Sequence, residues 1–168
     1  MSDKEHQAPS DLIRDGQYSD LRYVEMMAGH HGLAAEMGKL AKDRAEHEEL
    51  KEFAGKIVED QFGQIETLQR IHDDLGGEGQ IPTRPNPAER SMFGMRTLDE
   101  LKASDQFDRD FIDTQLPHHA SAIEMAAVAI KQSTRDDVRK LSHKIIDSQS
   151  KEIGKMIGWR HDWFGQMS

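Results

Sequence analysis

The sequence predicts an all-α fold, a four-helix bundle made of two helical hairpins joined by a long connection. Three observations carry this expectation. Hydrophobic residues make up 36% and charged residues 32% of the 168, with only 13 Gly and 5 Pro, a balance that suits amphipathic helices better than a turn-rich β protein. Apolar positions step by three and four through four long segments, which gives each helix one face to bury. Finally, residues 23–77 align with residues 111–165 without a gap, with twelve identities in 55 positions, His and Met among them. An offset of 88 residues held over that length reads as an internal duplication, and two hairpins that are each apolar on one stripe need to pair.

The elements follow in order. Residues 1–19 show no helical periodicity and are expected to be a flexible segment, leaving 20–168 as one domain. The first helix carries Tyr23, Met27, His30, Ala34, Met37 and Ala41 on its apolar stripe and turns near Asp43–Glu49. The second carries Leu50, Phe53, Ile57, Gln61, Ile65 and Leu68. The connection, residues 78–110, opens with a Gly- and Pro-rich half that cannot be regular structure. Within it TLDELKAS, residues 97–104, suits a short helix with Thr97 as N-cap and Glu100 as its capping-box partner. The third helix carries Phe111, Ala122, Met125 and Ala129, turns near Gln132–Asp137, and leads into a fourth with Val138, Leu141, Ile145, Gln149, Ile153 and Met156.

Helices of about 23 residues are roughly 35 Å long, and the connection is long enough to cross that length. If it does, the third helix runs antiparallel to the first. An axis near Ala34 and Ala122 then sets His30 and His31 level with Met125, and His118 and His119 level with Met37. In an up-down-up-down bundle the two helices are instead parallel, and all four histidines share one level.

Composition excludes several classes of function. The formal charge is -9, from 31 acidic and 22 basic residues, with no cluster of Lys and Arg, so nucleic acid and anionic membrane are poor partners. No apolar run approaches the roughly 20 residues of a membrane span, and the first 17 residues lack the apolar centre of a signal peptide. Nine methionines accompany no cysteine. Disulfides, thiolate zinc sites and cysteine nucleophiles are thereby removed, and a soft metal would have to be held by imidazole and thioether.

Such donors recur together. GHHGLAAEM at 29–37 returns as PHHASAIEM at 117–125. Adjacent helical residues differ by about 100°, so one histidine of each pair faces the core while the other flanks it. Met26 and Met27 precede His30 and His31 at the three- and four-residue spacing that lets side chains meet; Thr114 and Gln115 stand at those places in the second copy. Met37 lies roughly 10 Å along the axis from His30 and must serve another level, as must Met125 relative to His118. The eight candidate ligands His30, His31, Met26, Met27, Met37, His118, His119 and Met125 suit Cu(I), and by the same softness Ag(I). Gln61 and Gln149 interrupt aliphatic stripes, and a buried amide needs partners. They either orient metal-bound imidazoles or satisfy histidines of an ordinary polar core, and both readings stand at this point.

Glu36 and Glu124 read as flank or solvent positions, His47, His72, His143 and His161 as surface residues, and Trp159 with Trp163 as a cap on the bundle end. No catalytic constellation is present. A di-iron oxidase would place Glu three residues before a core histidine, where this chain has Met27, Ala28, Gln115 and Leu116.

FIDTQLPHHASAIEMA, followed by KIIDSQSKEIGKMIGW, resembles the helical family known as domain of unknown function 305. Asp113, His118, His119, Ala122, Met125, Gln149, Glu152, Ile153, Met156 and Trp159 carry the resemblance, and GMRTLDELKASDQFDRDF is similar to the segment that precedes the motif there. The resemblance implies a ferritin-like bundle, an extracytoplasmic or periplasmic location, copper or silver handling in some members, and no general catalytic activity. It adds Asp113, and Glu25 at the matching position, to the candidate ligands, and Glu152 and Met156 to the residues that support them. The first copy departs from the pattern with Gly29 for Pro, Glu25 for Asp, and Gln64 where Glu would stand. The expected partner is a metal ion, with a homo-oligomer left open.

Overall fold

The structure, a computed structural model, describes residues 12–14, 17–84 and 97–165. Five helices account for most of them. Helices α1 (Asp20–Arg44) and α2 (Glu48–Asp74) form one hairpin, α3 (Leu98–Lys102) lies in the connection, and α4 (Phe107–Gln132) and α5 (Asp136–Phe164) form the second hairpin. Both interhelical turns fall where the polar runs at 43–49 and 132–137 predict them.

The helix starts have identifiable causes. Ser19 caps α1 by accepting from the Arg22 amide at 3.3 Å, and Thr97 caps α3 by accepting from the Glu100 amide at 3.1 Å, as its sequence predicts. Helix α2 has no side-chain cap of its own. Asp108 of α4 supplies one, accepting from the Glu46 and His47 amides at 2.9 Å each, which ties the two hairpins together at that end. Pro117 sits inside α4, where it removes one backbone donor just before the histidine pair.

The two hairpins meet chiefly through α1 and α4, whereas α2 and α5 barely touch. Paired residues run in opposite directions: His30 meets His118 and Ser121, Met37 meets Gln115, and the Arg44 guanidinium lies over the Phe107 ring. Helix α4 is therefore antiparallel to α1. The described ends of the connection agree, since Thr83 lies against Gly32, Arg84 pairs with Glu36 at 3.2 Å, and Lys102 and Ser104 accept from Arg44. The described ends of the connection thus lie against the middle and the C-terminal end of α1. A Cβ at Gly32 would overlap the Thr83 carbonyl, so glycine is what lets the returning chain lie so close.

Two apolar clusters fill the bundle. One gathers Tyr23, Met26, Met27, Leu68, Ile71, Ala122, Met125, Val138 and Ile145. The other gathers Met37, Leu50, Phe53, Ile57, Leu101, Phe111, Ile112 and Met156 beneath Trp159 and Trp163, whose rings stack at 5.2 Å and close that end as expected. The histidine pairs lie in the sequence of α1 and α4 between the members of these clusters.

Three expectations are corrected. The end of segment 1–19 is not a flexible lead: Ile13–Arg14 (β1) and Gln17–Tyr18 (β2) pair antiparallel, Leu12 is fully buried, and the Arg22 guanidinium donates to the Leu12 and Gln17 carbonyls. His72 is not a surface residue but is 2% exposed, because Gly77 leaves room for its ring. The helix crossing also lies one turn nearer the N-terminus of each helix than an axis at Ala34 and Ala122 would put it. His30 stacks on His118 itself, so histidines do not sit level with methionines in the two-level arrangement.

Candidate metal centre

All four histidines of the repeated motif are buried to 0% exposure, and each is held by a distinct device. His30 and His118 stack face to face, with centroids 3.5 Å apart and planes 5° from parallel. The Nε2 of His30 donates to the His118 carbonyl at 2.6 Å and lies 2.9 Å from the Ser121 hydroxyl, while that hydroxyl also donates to the same carbonyl at 2.7 Å. The outer pair points to the other side. His31 Nε2 donates to the Gln64 amide oxygen at 2.5 Å. His119 donates from Nδ1 to the Gln115 carbonyl at 2.9 Å, which turns its Nε2 toward the Glu152 carboxylate at 3.5 Å.

Burial sets the charge state of His30, His31 and His118. It holds His30 and His118 far below the ordinary histidine value, and the neighbouring histidines push the same way. His31 is pushed down to about 4, burial outweighing the Gln64 bond and the Glu152 charge that act upward. At neutral pH these three are uncharged imidazoles, the form that ligates metals.

The methionines flank this layer. Met26, Met27 and Met125 share the apolar cluster on one side of it, and Met37 and Met156 lie in the cluster on the other. The Met37 sulfur accepts from the Gln115 amide at 3.2 Å, so Gln115 answers Met37 where Met27 accompanies Met125. Gln61 and Gln149 are buried to 2% and 1%, and among the described residues neither amide oxygen has a hydrogen-bond partner.

Glu25 and Asp113 do not join the histidines, which corrects their place among the candidate ligands. Five residues before the first histidine is about 140° around the helix, so both point across their own hairpin. Glu25 reaches His72 at 3.4 Å, and Asp113 reaches Arg160 at 2.8 Å. Gln64 and Ser121 are the contacts that the sequence reading did not assign. The 88-residue offset carried a signal for the first, since it pairs Gln64 with Glu152.

Among the described residues no three histidine or carboxylate side chains form a preset ligand group. Imidazole with thioether or amide donors is what the centre offers, a borderline-to-soft set. Between α2 and α5 a groove of about 580 Å³ reaches this layer, lined by Glu59, Asp60, Gln64, Lys140, Lys144 and Ser148. Among the described residues no helix is long and apolar enough to cross a membrane.

The chain is similar to several solved structures. CopM in its Cu(I)-bound form is 34% identical, with a TM-score of 0.78 over 89% of this chain and 100% of that one. CopM in its Cu(II)-bound form is 33% identical, with a TM-score of 0.80 over 88% and 99%, and an Ag-bound form of CopM is matched as well. A DUF305 fragment from Deinococcus radiodurans, 22% identical over 85% of this chain and 95% of that one, has the same fold with a TM-score of 0.75. No curated protein matches the chain. The model of the Domain of unknown function (DUF305) matches residues 20–160, and the chain belongs to that family.

Proposed function

We propose that this protein binds and handles copper, taking Cu(I), and by the same softness Ag(I), among the central histidines and the methionines that flank them. The observation that carries the reading is the layer of four buried histidines between thioethers, with His30, His31 and His118 held neutral by burial. Similarity to CopM, which is seen with Cu(I), Cu(II) and Ag, supports the choice of metal. In this reading the ion is cargo, and the chain catalyses nothing. The bundle is taken as ferritin-like and duplicated, which fits the antiparallel meeting of positions 88 residues apart at His30 and His118. We place the handling outside the cytoplasm, as the family resemblance implies. Anaerobic titration of the full chain with Cu(I) against a chromogenic chelator tests the proposal, and competition that leaves all copper with the chelator sinks it.

A second reading has one specific observation behind it. The Nε2 atoms of His30 and His31 already have partners within the protein, as a polar core that never binds metal would require. Cu(I) titration separates the two.

A further inference from the structure

One pair of groups in the centre is left in an arrangement that protein atoms do not complete. The His119 ring is 1% exposed, and its Nδ1 proton is committed to the Gln115 carbonyl. Nε2 is the nitrogen left over, and among the described residues it has no hydrogen-bond partner. It faces Oε2 of Glu152, a buried atom likewise without a hydrogen bond among the described residues, at 3.5 Å. A ring nitrogen and a carboxylate oxygen aimed at one another offer two donor atoms to a cation, and the carboxylate supplies charge to hold it. Two ligand atoms bonded to one ion at about 2.0 Å lie roughly 2.8 Å apart at the right angles of a tetragonal site, so the two groups need close by only about 0.7 Å from their separation of 3.5 Å to share one ion.

The surroundings supply a route and a contrast. Asp60 and Gln64 line the groove between α2 and α5, and Ser148, one turn before Glu152, lines it from the other side. Burial, reinforced by the Glu152 charge, holds the Asp60 carboxyl above its usual range. At the position 88 residues before Glu152 stands Gln64, whose neutral amide oxygen accepts from His31 Nε2. On that side the contact is complete, and on the Glu152 side it is not.

We propose that His119 Nε2 and Glu152 Oε2, one helical turn beyond Ser148 of this groove, form an entry site for a divalent cation, with Asp60 as the carboxylate that meets the ion first. Imidazole with carboxylate is a harder set than imidazole with thioether. Given the copper reading on which this rests, the ion is Cu(II), held apart from the thioether-flanked histidines that take Cu(I).

The test titrates the full chain with Cu(II) without reductant, reads nitrogen coupling by electron paramagnetic resonance, and repeats the anaerobic Cu(I) competition. Glu152→Gln is expected to lower Cu(II) affinity at least tenfold and to lower Cu(I) affinity by clearly less. Gln64→Glu, which gives His31 the same carboxylate, is expected to recover most of the loss when combined with Glu152→Gln, and alone to raise Cu(II) affinity. Undiminished Cu(II) affinity in folded Glu152→Gln, equal losses for the two oxidation states, or no gain from Gln64→Glu would overturn the entry site. A parent that binds Cu(I) but no Cu(II) removes it and leaves the copper(I) reading in place. A parent that binds Cu(II) through Glu152 but no Cu(I) supports it and ends that reading.

Discussion

Around the central histidines, hairpin α1–α2 offers Met26, Met27 and Gln64, whereas hairpin α4–α5 offers Thr114, Gln115 and Glu152 at the positions 88 residues on. Both are pairs of long helices, and their donors differ. The first hairpin is rich in thioether and neutral at its outer histidine, which bonds Gln64. The second spends Gln115 on the Met37 sulfur and sets a carboxylate before His119. The donors about the histidines are thus softer on one hairpin and harder on the other, and the two hairpins should respond differently to the same substitution.

The largest effect expected is acid lability of the metal-free protein. His30, His31 and His118 have folded values depressed below the ordinary 6.5, so unfolding takes up protons below that pH. Stability is fully present above pH 6.5 and is lost as pH falls toward about 4, where His31 itself ionises. Each histidine contributes a slope of up to about 1.4 kcal/mol per pH unit in that window. Urea midpoints between pH 7 and pH 4 measure it. His31→Gln should flatten the profile by one proton, and an unchanged slope would remove His31 from the group.

Next in size is the thioether contribution. Replacing Met26, Met27, Met37 and Met125 together by Leu should cost at least about a hundredfold in Cu(I) affinity, some 2.7 kcal/mol, while the fold survives because Leu and Met are close in volume. Since Gln115 already engages the Met37 sulfur, Met37→Leu alone should cost less than Met26→Leu with Met27→Leu. A folded quadruple variant with full affinity would assign the methionines to packing. The histidine pairs sharpen the same contrast. His30→Ala with His31→Ala should weaken Cu(I) binding about tenfold more than His118→Ala with His119→Ala, about 1.4 kcal/mol, as chelator competition can resolve. Equal losses would mean that the soft flank is no softer.

How much of this was legible follows from where the physics is local. Helix existence, both turns and the Thr97 cap depend on residues three or four apart, and periodicity with capping chemistry reports those directly. The antiparallel approach of α4 to α1 was one of two arrangements that the length of the connection allowed. Its register was not legible. Small residues recur along α1 at Ala28, Gly29, Gly32, Ala34 and Ala35, so crossings one turn apart are equally permitted by size. The choice falls to long-range contacts, the His30–His118 stack and the bonds to the His118 carbonyl and Ser121, that no local pattern encodes. Gln64 was visible as a departure from the repeat, but its bond to His31 depends on how α2 faces α1.

The smallest expected effect concerns the two acidic residues that precede the histidines. Asp113 grips Arg160 with two contacts, 2.8 Å to Nε and 3.4 Å to Nη2, and the Arg160 side chain is only 14% exposed. Glu25 makes one contact of 3.4 Å with His72 and is itself 43% exposed, so solvent screens it more and its side chain is held less firmly. Ion pairs of this kind contribute about 0.2–1 kcal/mol. Asp113→Ala should therefore lie near the top of that range and also leave the half-buried guanidinium unpaired, whereas Glu25→Ala should cost no more than a few tenths of a kcal/mol. Parallel urea titrations at pH 7.5 measure both. Chelator competition on the same two variants asks a separate question, because a carboxylate turned about 140° from the histidines has no path to an ion bound among them. A Cu(I) affinity that falls tenfold in Asp113→Ala but not in Glu25→Ala would mean that α4 rotates on binding, and the contrast between the hairpins would then be one of mobility as well as of donors.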